Sequence, residues 1–449
     1  MTLQFSAGAP AERQGYPPGG EKEKNMKVTM PYGSETVQFD IPGKNFIGMM
    51  DPEFTKPIEN LEEAIVHAID HPYGCRPLEE IVVPGKKIAV IIDDGSRPTP
   101  QKKILPILLK RLEETGAKRE DIRIVAALGS HRYMTEEELR ERVGEEVYDN
   151  YAVMNSEFRD PEKLVYVGDT PEGVKILASK VVMDTDIHIG VGCLVPHPVM
   201  GWGGGGKILY PGIAGERTVA YFHLKASLFD ENMFGCDTTP VREMMEGWVD
   251  SIGLDFIINV ILNAHLEIAD VVAGHYVAAQ REGVRRGKKI VGFQVTEKAD
   301  VMICSSHPAD QDFWQSPKAM YAAEPALKGE RGGTLIMISP NYEGIGPHAE
   351  YPECMGRDDG DEIVKAFFRG EEIKGDPLAI AVGNSMSKMR RRRKLIVVGD
   401  GVTKEEMEKC GCEQYALCEL QQLIDKIIED APDCRIGALS NGAEAFLYS

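Results

Sequence analysis

The sequence predicts an α/β protein of two domains, each a mixed or parallel sheet flanked by helices, on three observations. Short, largely apolar runs of buried-strand type lie at Lys87 to Asp94, Asp121 to Ala127 and Asp184 to Gly192, and each ends in a loop rich in Gly, Pro or Ser. Helical spacing follows the first two, an alternation that builds a sheet with helices on its faces. The plan then restarts beyond a basic run, Arg285 to Lys289, in a chain of 449 residues that is long enough for two cores.

Residues 1–25 are too polar and glycine-rich to pack and read as a disordered extension. The alternation from Lys27 to Asp40 predicts a hairpin turning at Tyr32 to Ser34, and Glu59 to Ile69 reads as an amphipathic helix. After the first apolar run, the loop Gly95-Ser96-Arg97-Pro98-Thr99-Pro100 leads into a helix ending by Gly116. After the second, a helix is opened by Thr135 with Glu138 three residues on, the spelling of a capping box. Val241 to Trp248 and Tyr276 to Arg286 read as helices, and Asp255 to Leu262 and Leu266 to Val272 as strands. The basic run is expected to be the hinge, so that residues 26–288 form an N-terminal domain and 289–432 a smaller C-terminal one. The latter has strands at Lys289 to Val295, Ala299 to Ser305, Gly333 to Ser339 and Lys394 to Val398. Arg390 to Lys394 reads as a solvated helix end. Residues 433–449 carry a last strand and a small-residue helix, and their domain membership stays open.

A net charge of -20 argues against a nucleic-acid partner, whose phosphates demand basic patches. An anionic ligand would need Arg and Lys gathered locally. Nine scattered cysteines fit a reducing compartment, and Cys410, Cys412 and Cys418 fall short of the four ligands of a structural zinc site. No apolar run is long enough to span a bilayer and no secretion signal opens the chain, so a cytoplasmic protein with no membrane partner is expected.

The most unusual stretch runs from Pro196 to Gly215, with four successive glycines at 203–206 followed by Lys207. Such a run gives up much backbone entropy on folding and gains a main chain able to adopt positive φ or lie close to a ligand. Gly201, Gly206 and Lys207 match the start of a phosphate-binding P-loop, but Ile208 stands where a hydroxyl would hold magnesium. In α/β sheets ligands lie beyond the carboxyl ends of the strands. There the three runs deliver Asp94 and Arg97, then His131, then His197 and Lys207, which are expected to converge on one pocket. His67 and His188 fall inside predicted elements and read as packing residues, whereas His131 and His197 follow strand ends. Two imidazoles facing one carbon suit racemisation, one taking a proton while the other supplies it. His223, in TVAYFHLKA, reads either as a core histidine or as a metal ligand.

These residues together resemble the nickel-dependent lactate racemases and the wider group of 2-hydroxyacid racemases and epimerases. The likeness covers most of the chain after residue 25. It rests on Asp94-x-x-Arg97-Pro98-x-Pro100, Gly129-x-His131-Arg132-x-Met134-Thr135, His197-x-x-x-Gly201-x-x-Gly204-Gly205-x-Lys207, His223 and Gln315-x-x-Lys318. The resemblance implies two α/β domains with the active site in the cleft between them, the N-terminal one catalytic and cofactor-binding. It implies nickel held in a pincer nucleotide, pyridinium-3,5-bisthiocarboxylic acid mononucleotide, supplied by cofactor-synthesis enzymes as partners. Lys207 matches the lysine that holds the nucleotide, with Gly204, Gly205 and Asp94 beside the cofactor, and His223 matches the nickel ligand. His131 and His197 match the acid/base pair, and Arg97, Gln315 and Lys318 the substrate clamp. The implied reaction is reversible hydride transfer from a 2-hydroxy acid, a cofactor being needed because its carbon-bound hydrogen is too weakly acidic for imidazole alone.

Three departures point away from strict use of lactate and toward a different, larger 2-hydroxy acid. Trp314 stands where lactate enzymes carry tyrosine, Tyr133 where they often have proline, and no tryptophan occupies Gly375 to Ala381. A nicotinamide-dependent dehydrogenase is the competing enzyme, but no G-x-G-x-x-G follows a predicted strand. A carrier of the nickel nucleotide would need neither His131 nor His197. The sequence leaves the oligomeric state open, a homo-oligomer included.

Overall fold

The structure, a computed structural model, describes residues 24–129, 131–170, 173 and 175–448. The expected disordered extension lies outside the described residues up to 23, while Asn25 already opens a strand. The contacts divide the chain into two units. One comprises Phe54–His223 and Cys236–Ile290; the other takes the residues up to Glu53, Leu224–Gly235 and Val291 onward.

The first unit is built on a six-stranded sheet in the order Ile268–Gly274, Phe256–Leu262, Ile187–Cys193, Ile88–Asp93, Ile122–Ala127, Ala152–Asn155. All neighbours are parallel except the edge strand Ile268–Gly274. Every residue of Ile88–Asp93 is buried, as a central parallel strand covered on both faces requires. Val90 and Ile92 join Ile124, Ile189 and Ile258 in a core with Ile65, Leu105, Leu108, Leu112 and Leu139 of the covering helices. On the other side Ile208 packs at Gly190, where an added Cβ would come within 2.5 Å of it. From the Ile88 strand the chain builds outward first through Ile122 and Ala152, then through Ile187 and Phe256 on the opposite side. That reversal makes the carboxyl ends of the Ile88 and Ile187 strands a topological switch point, where such sheets hold ligands.

The second unit has a six-stranded, all-parallel sheet in the order Glu413–Tyr415, Lys394–Val398, Thr334–Ile338, Val301–Ser305, Ile436–Leu439, Phe46–Met49. The hairpin Asn25–Tyr32 and Glu35–Pro42 turns at Gly33 and lays Val28, Met30, Val37 and Phe39 into the same core. Among the described residues no helix is long and apolar enough to cross a membrane.

Four expectations need revision. Residues 25–53 group with the second unit and not with residues 54–288, because Phe46–Met49 extends its sheet beside Ile436–Leu439. The basic run is no stop: the helix Ala278–Val291 passes through it, since Glu282 pairs with Arg285 and Arg286 at helical spacing and Arg286 also reaches Asp270. The strand expected at Lys289 to Val295 shrinks to Gly292–Gln294, which pairs with Phe446–Tyr448 where a small-residue helix was expected. Arg393 is buried, its guanidinium bonded to Glu324 and to the carbonyls of Gly329 and Gly332, so within the Arg390 to Lys394 run this residue is pinned and not solvated, while Arg391 and Lys394 are exposed as expected.

Candidate active site

Apart from His223, the site residues of the first unit are carried by loops leaving three adjacent strands. At the end of the Ile88 strand, buried Asp93 accepts hydrogen bonds from Thr99 Oγ1, from Gln101 Nε2 at 2.8 Å and from Arg142. Arg142 also donates to the carbonyl of Arg97 at 2.8 Å, so one buried carboxylate fixes the whole loop that presents Arg97.

Asp94, 4% exposed, faces the other way. Its Oδ1 accepts from Ser96 Oγ at 2.6 Å, and its Oδ2 lies 2.6 Å from Nδ1 of His131. Burial alone would raise the Asp94 carboxyl, but His131, Ser96 and Arg97 outweigh it and hold the group well below the ordinary carboxylate range. An ionised carboxylate therefore orients the His131 imidazole, the arrangement by which an acid–histidine pair is readied for proton transfer. His131 sits on a loop where Gly129 has φ +58 and donates its N–H to Gly212 O at 2.9 Å, tying this loop to the one that follows Lys207.

His197 is buried in a two-residue ribbon, Pro196–His197 paired with Gly201–Trp202. The N–H groups of Val199 and Met200 donate to its Nδ1 at 3.2 and 3.3 Å. This ribbon is clamped by Arg242, which is fully buried and donates to the carbonyls of Met200, Trp202 and Gly203. Burial pushes the Arg242 guanidinium down to about 10, with Glu246 opposing.

The conformational freedom of the glycine run is used against the protein's own interior. Gly204 and Gly205 have φ +67 and +61, and a Cβ on Gly204 would come within 2.6 Å of Leu194, one on Gly205 within 2.8 Å of the Tyr276 carbonyl. Gly205 N–H donates to Asn259 at 2.8 Å. Lys207, half-buried, follows in the short turn Gly205–Ile208. His223 lies on the helix Glu216–Ala226, half-buried, with Nδ1 2.8 Å from the Val219 carbonyl. Among the described residues no group of three or more His, Cys, Asp or Glu side chains is gathered to hold a metal ion, the Cys410 to Cys418 cluster included. A surface depression lined by Cys75, Lys86 and Asp186 sits at the amino ends of the strands, the edge opposite the chemistry.

Gln315 and Lys318 belong to the second unit, where Gln315 is buried and Lys318 Nζ donates to its Oε1. Next to them Trp314 packs on His348, ring centroids 4.2 Å apart, and His348 Nδ1 lies 2.6 Å from Asp376. Direct contact thus joins Asp94 and His131, loop hydrogen bonds join the His131 and Lys207 segments, and Gln315 pairs with Lys318. Sequence reading missed Ser96, the Asp93–Arg142 pair, Arg242 and the His348–Asp376 pair. Only Ser96, two residues from Asp94, carried a local signal.

The comparisons with known proteins agree with this architecture. A family profile described as the lactate racemase N-terminal domain matches residues 32–234, and one described as the lactate racemase C-terminal domain matches 295–442. The lactate racemase of Thermoanaerobacterium thermosaccharolyticum is 28% identical over 354 residues, 77% of this chain and 82% of that protein. That of Lactiplantibacillus plantarum is 29% identical over 358 residues, 78% and 84% of the two chains. The structure of the Thermoanaerobacterium apoprotein superposes with a TM-score of 0.81 at 24% identity, over 94% of this chain and 100% of that one. A Thermotoga maritima protein gives 0.67 at 18%, over 88% and 99%. Such a chain is an isomerase, of the racemase class. It belongs to the lactate racemase family.

Proposed function

We propose that the protein racemises or epimerises a 2-hydroxy acid with a nickel-pincer nucleotide as cofactor, using His131 and His197 as the acid/base pair. The observation that carries this reading is the Asp94–His131 pair at the switch point of the first sheet. The residues present fit the cofactor. A carbonyl can only accept, so the contact from His223 Nδ1 to Val219 puts the proton on Nδ1 and the lone pair on Nε2, the form in which imidazole binds a metal. One imidazole is a sparse donor set, which suits an ion whose other donors come with the nucleotide. Lys207 is assigned to the nucleotide, with Gly204, Gly205 and Asp94 alongside. When bound, the group supplies a reversible hydride acceptor.

The chain's own residues do the rest. Arg97 offers a planar fork to the substrate carboxylate, and Gln315 and Lys318 are assigned to the same anion. The hydroxyl proton moves to an imidazole, and the positive charge that forms on His131 is stabilised by Asp94. Trp314, packed on His348 where lactate enzymes carry tyrosine, supports a substrate other than lactate. The reading takes the protein as cytoplasmic, served there by the cofactor-synthesis enzymes.

The test is co-expression with those enzymes, nickel analysis of the purified chain, and a chiral assay over a panel of 2-hydroxy acids. About one nickel per chain and inversion of at least one acid longer than lactate are expected. Nickel-loaded protein that leaves every acid unchanged would reduce the chain to a carrier of the nucleotide.

A further inference from the structure

The hydrogen bonds around the two proposed acid/base histidines run in opposite senses. The two described partners of His131 Nδ1 are acceptors. Asp94 Oδ2, at 2.6 Å, is a carboxylate oxygen, and Ser96 Oγ, at 3.1 Å, has already given its proton to Asp94 Oδ1 at 2.6 Å. A neutral His131 therefore keeps its hydrogen on Nδ1 and its lone pair on Nε2. The two described partners of His197 Nδ1 are donors, the main-chain amides of Val199 and Met200, and an amide N–H cannot accept. A neutral His197 therefore keeps its lone pair on Nδ1 and its hydrogen on Nε2.

Neither arrangement is easily reversed. The Met200 amide is fixed from behind, because Thr239 Oγ1 donates at 3.3 Å to the Val199 carbonyl of the same peptide unit, and buried Arg242 Nε holds the next carbonyl, that of Met200, at 3.1 Å. A proton placed on Nδ1 of His197 would point at two others. On the His131 side the two acceptors are linked by the Ser96–Asp94 bond and cannot both turn away.

We infer that the two imidazoles are locked in opposite tautomers, so that a substrate hydroxyl meets a proton acceptor at His131 Nε2 and a hydrogen-bond donor at His197 Nε2. The structural half stands on the distances alone; its catalytic meaning rests on the racemase reading above. The histidines are then not interchangeable. When the hydroxyl proton moves, the O–H bond breaks and a bond to His131 Nε2 forms, with the charge compensated by Asp94. His197 holds the oxygen and takes over as acceptor only after its ribbon releases Nδ1.

The test uses the full chain without cofactor, labelled with nitrogen-15 in its histidines, in long-range proton–nitrogen correlation spectra at a pH of about 8, above the range where imidazole titrates. His131→Gln and His197→Gln assign the signals. A protonated Nε2 on His197 and a protonated Nδ1 on His131 are expected. A protonated Nδ1 on His197, or rapid averaging of the two forms at either ring, overturns the inference. Asp94→Asn should disturb the tautomer of His131 and leave that of His197 unchanged; an equal response of both rings counts against it. In the cofactor-loaded protein, glutamine at 197 still offers an N–H but cannot take a proton, so the comparison is made on the first half-reaction: for one enantiomer, single-turnover formation of the 2-keto acid should be at least tenfold faster in His197→Gln than in His131→Gln, and equal losses would refute the division of roles. If the loaded wild-type chain turns over no 2-hydroxy acid, the racemase reading falls, and the spectra of the unloaded chain still decide the tautomers.

Discussion

Two loops at the carboxyl edge of the first sheet do similar work by opposite means. The segment after the Ile88 strand is held by side chains: Asp93 takes Thr99, Gln101 and Arg142, and Asp94 takes Ser96. The segment from Leu194 to Ile208 is held through its main chain, by one buried arginine on three carbonyls and by glycines that admit neighbouring atoms where a Cβ would stand. The first design should be sensitive to charge and tolerant of backbone changes. The second should be indifferent to most side chains and intolerant of a single added carbon.

The sharpest way to break the comparison is Arg242→Met. It leaves the carbonyls of Met200, Trp202 and Gly203 without that donor inside the protein, and removing one member of a buried ionic network costs about 3–5 kcal/mol. Urea denaturation should show a loss of that order, and a loss below about 1 kcal/mol would mean that other donors hold the ribbon. Next comes Gly204→Ala. With φ +67 and ψ -170, Gly204 lies in a region essentially reserved for glycine, where another residue costs about 1–3 kcal/mol, and overpacking adds about 1–3 kcal/mol. At Gly204 both apply, because φ is +67 and the new Cβ would lie 2.6 Å from Leu194 and 2.7 Å from Asn259 Oδ1. An unchanged denaturation midpoint would show that the run is slack. Asp93→Ala probes the other loop: stranding Arg142 and Gln101 should cost roughly 1–3 kcal/mol. Its effect should be matched by Arg142→Ala, and a double mutant no worse than either single would confirm that the pair acts together.

A subtler test uses pH. Because the folded Asp94 carboxyl is depressed, the unfolded chain binds that proton more tightly. The stabilisation it gives is therefore complete above the unfolded value of about 3.9 and fades as the pH falls through the folded one. The difference in stability between wild type and Asp94→Asn should accordingly shrink between pH 5 and pH 2. A constant difference over that range would mean that Asp94 acts by shape and not by charge.

Much of this edge was legible in the sequence, for reasons that differ by residue. Asp94, Arg97, His131 and His197 announce themselves because each breaks an apolar run at its end, and the sheet rule then places them together. The capping box at Thr135 and Glu138 is local and appears as spelled, with both reciprocal hydrogen bonds formed. Arg242 was invisible because an arginine in an amphipathic helix reads as solvated, and only the tertiary fold shows it fully buried. The hinge at Arg285 to Lys289 misled for the reverse reason, since charges that suggest a loop are satisfied within the helix by Glu282. The grouping of residues 25–53 with the C-terminal unit depends on a parallel pairing across almost four hundred residues, which no local pattern encodes.

The glycine count misled in its own way. The glycines of such loops look alike on paper, yet Gly129 and Gly204 differ in what surrounds them. Both have positive φ, +58 and +67, but a Cβ on Gly129 would meet nothing within 4 Å. Gly129→Ala should therefore cost only the conformational share, about 1–2 kcal/mol, with no packing penalty. Asparagine, which tolerates the left-handed region, should recover part of it at 129 and none of it at 204, where the extra atoms have nowhere to go. A denaturation series over alanine and asparagine at both positions separates the two contributions. Equal behaviour at 129 and 204 would show that strain alone, and not the close approach of Leu194 and Asn259, demands glycine along this edge.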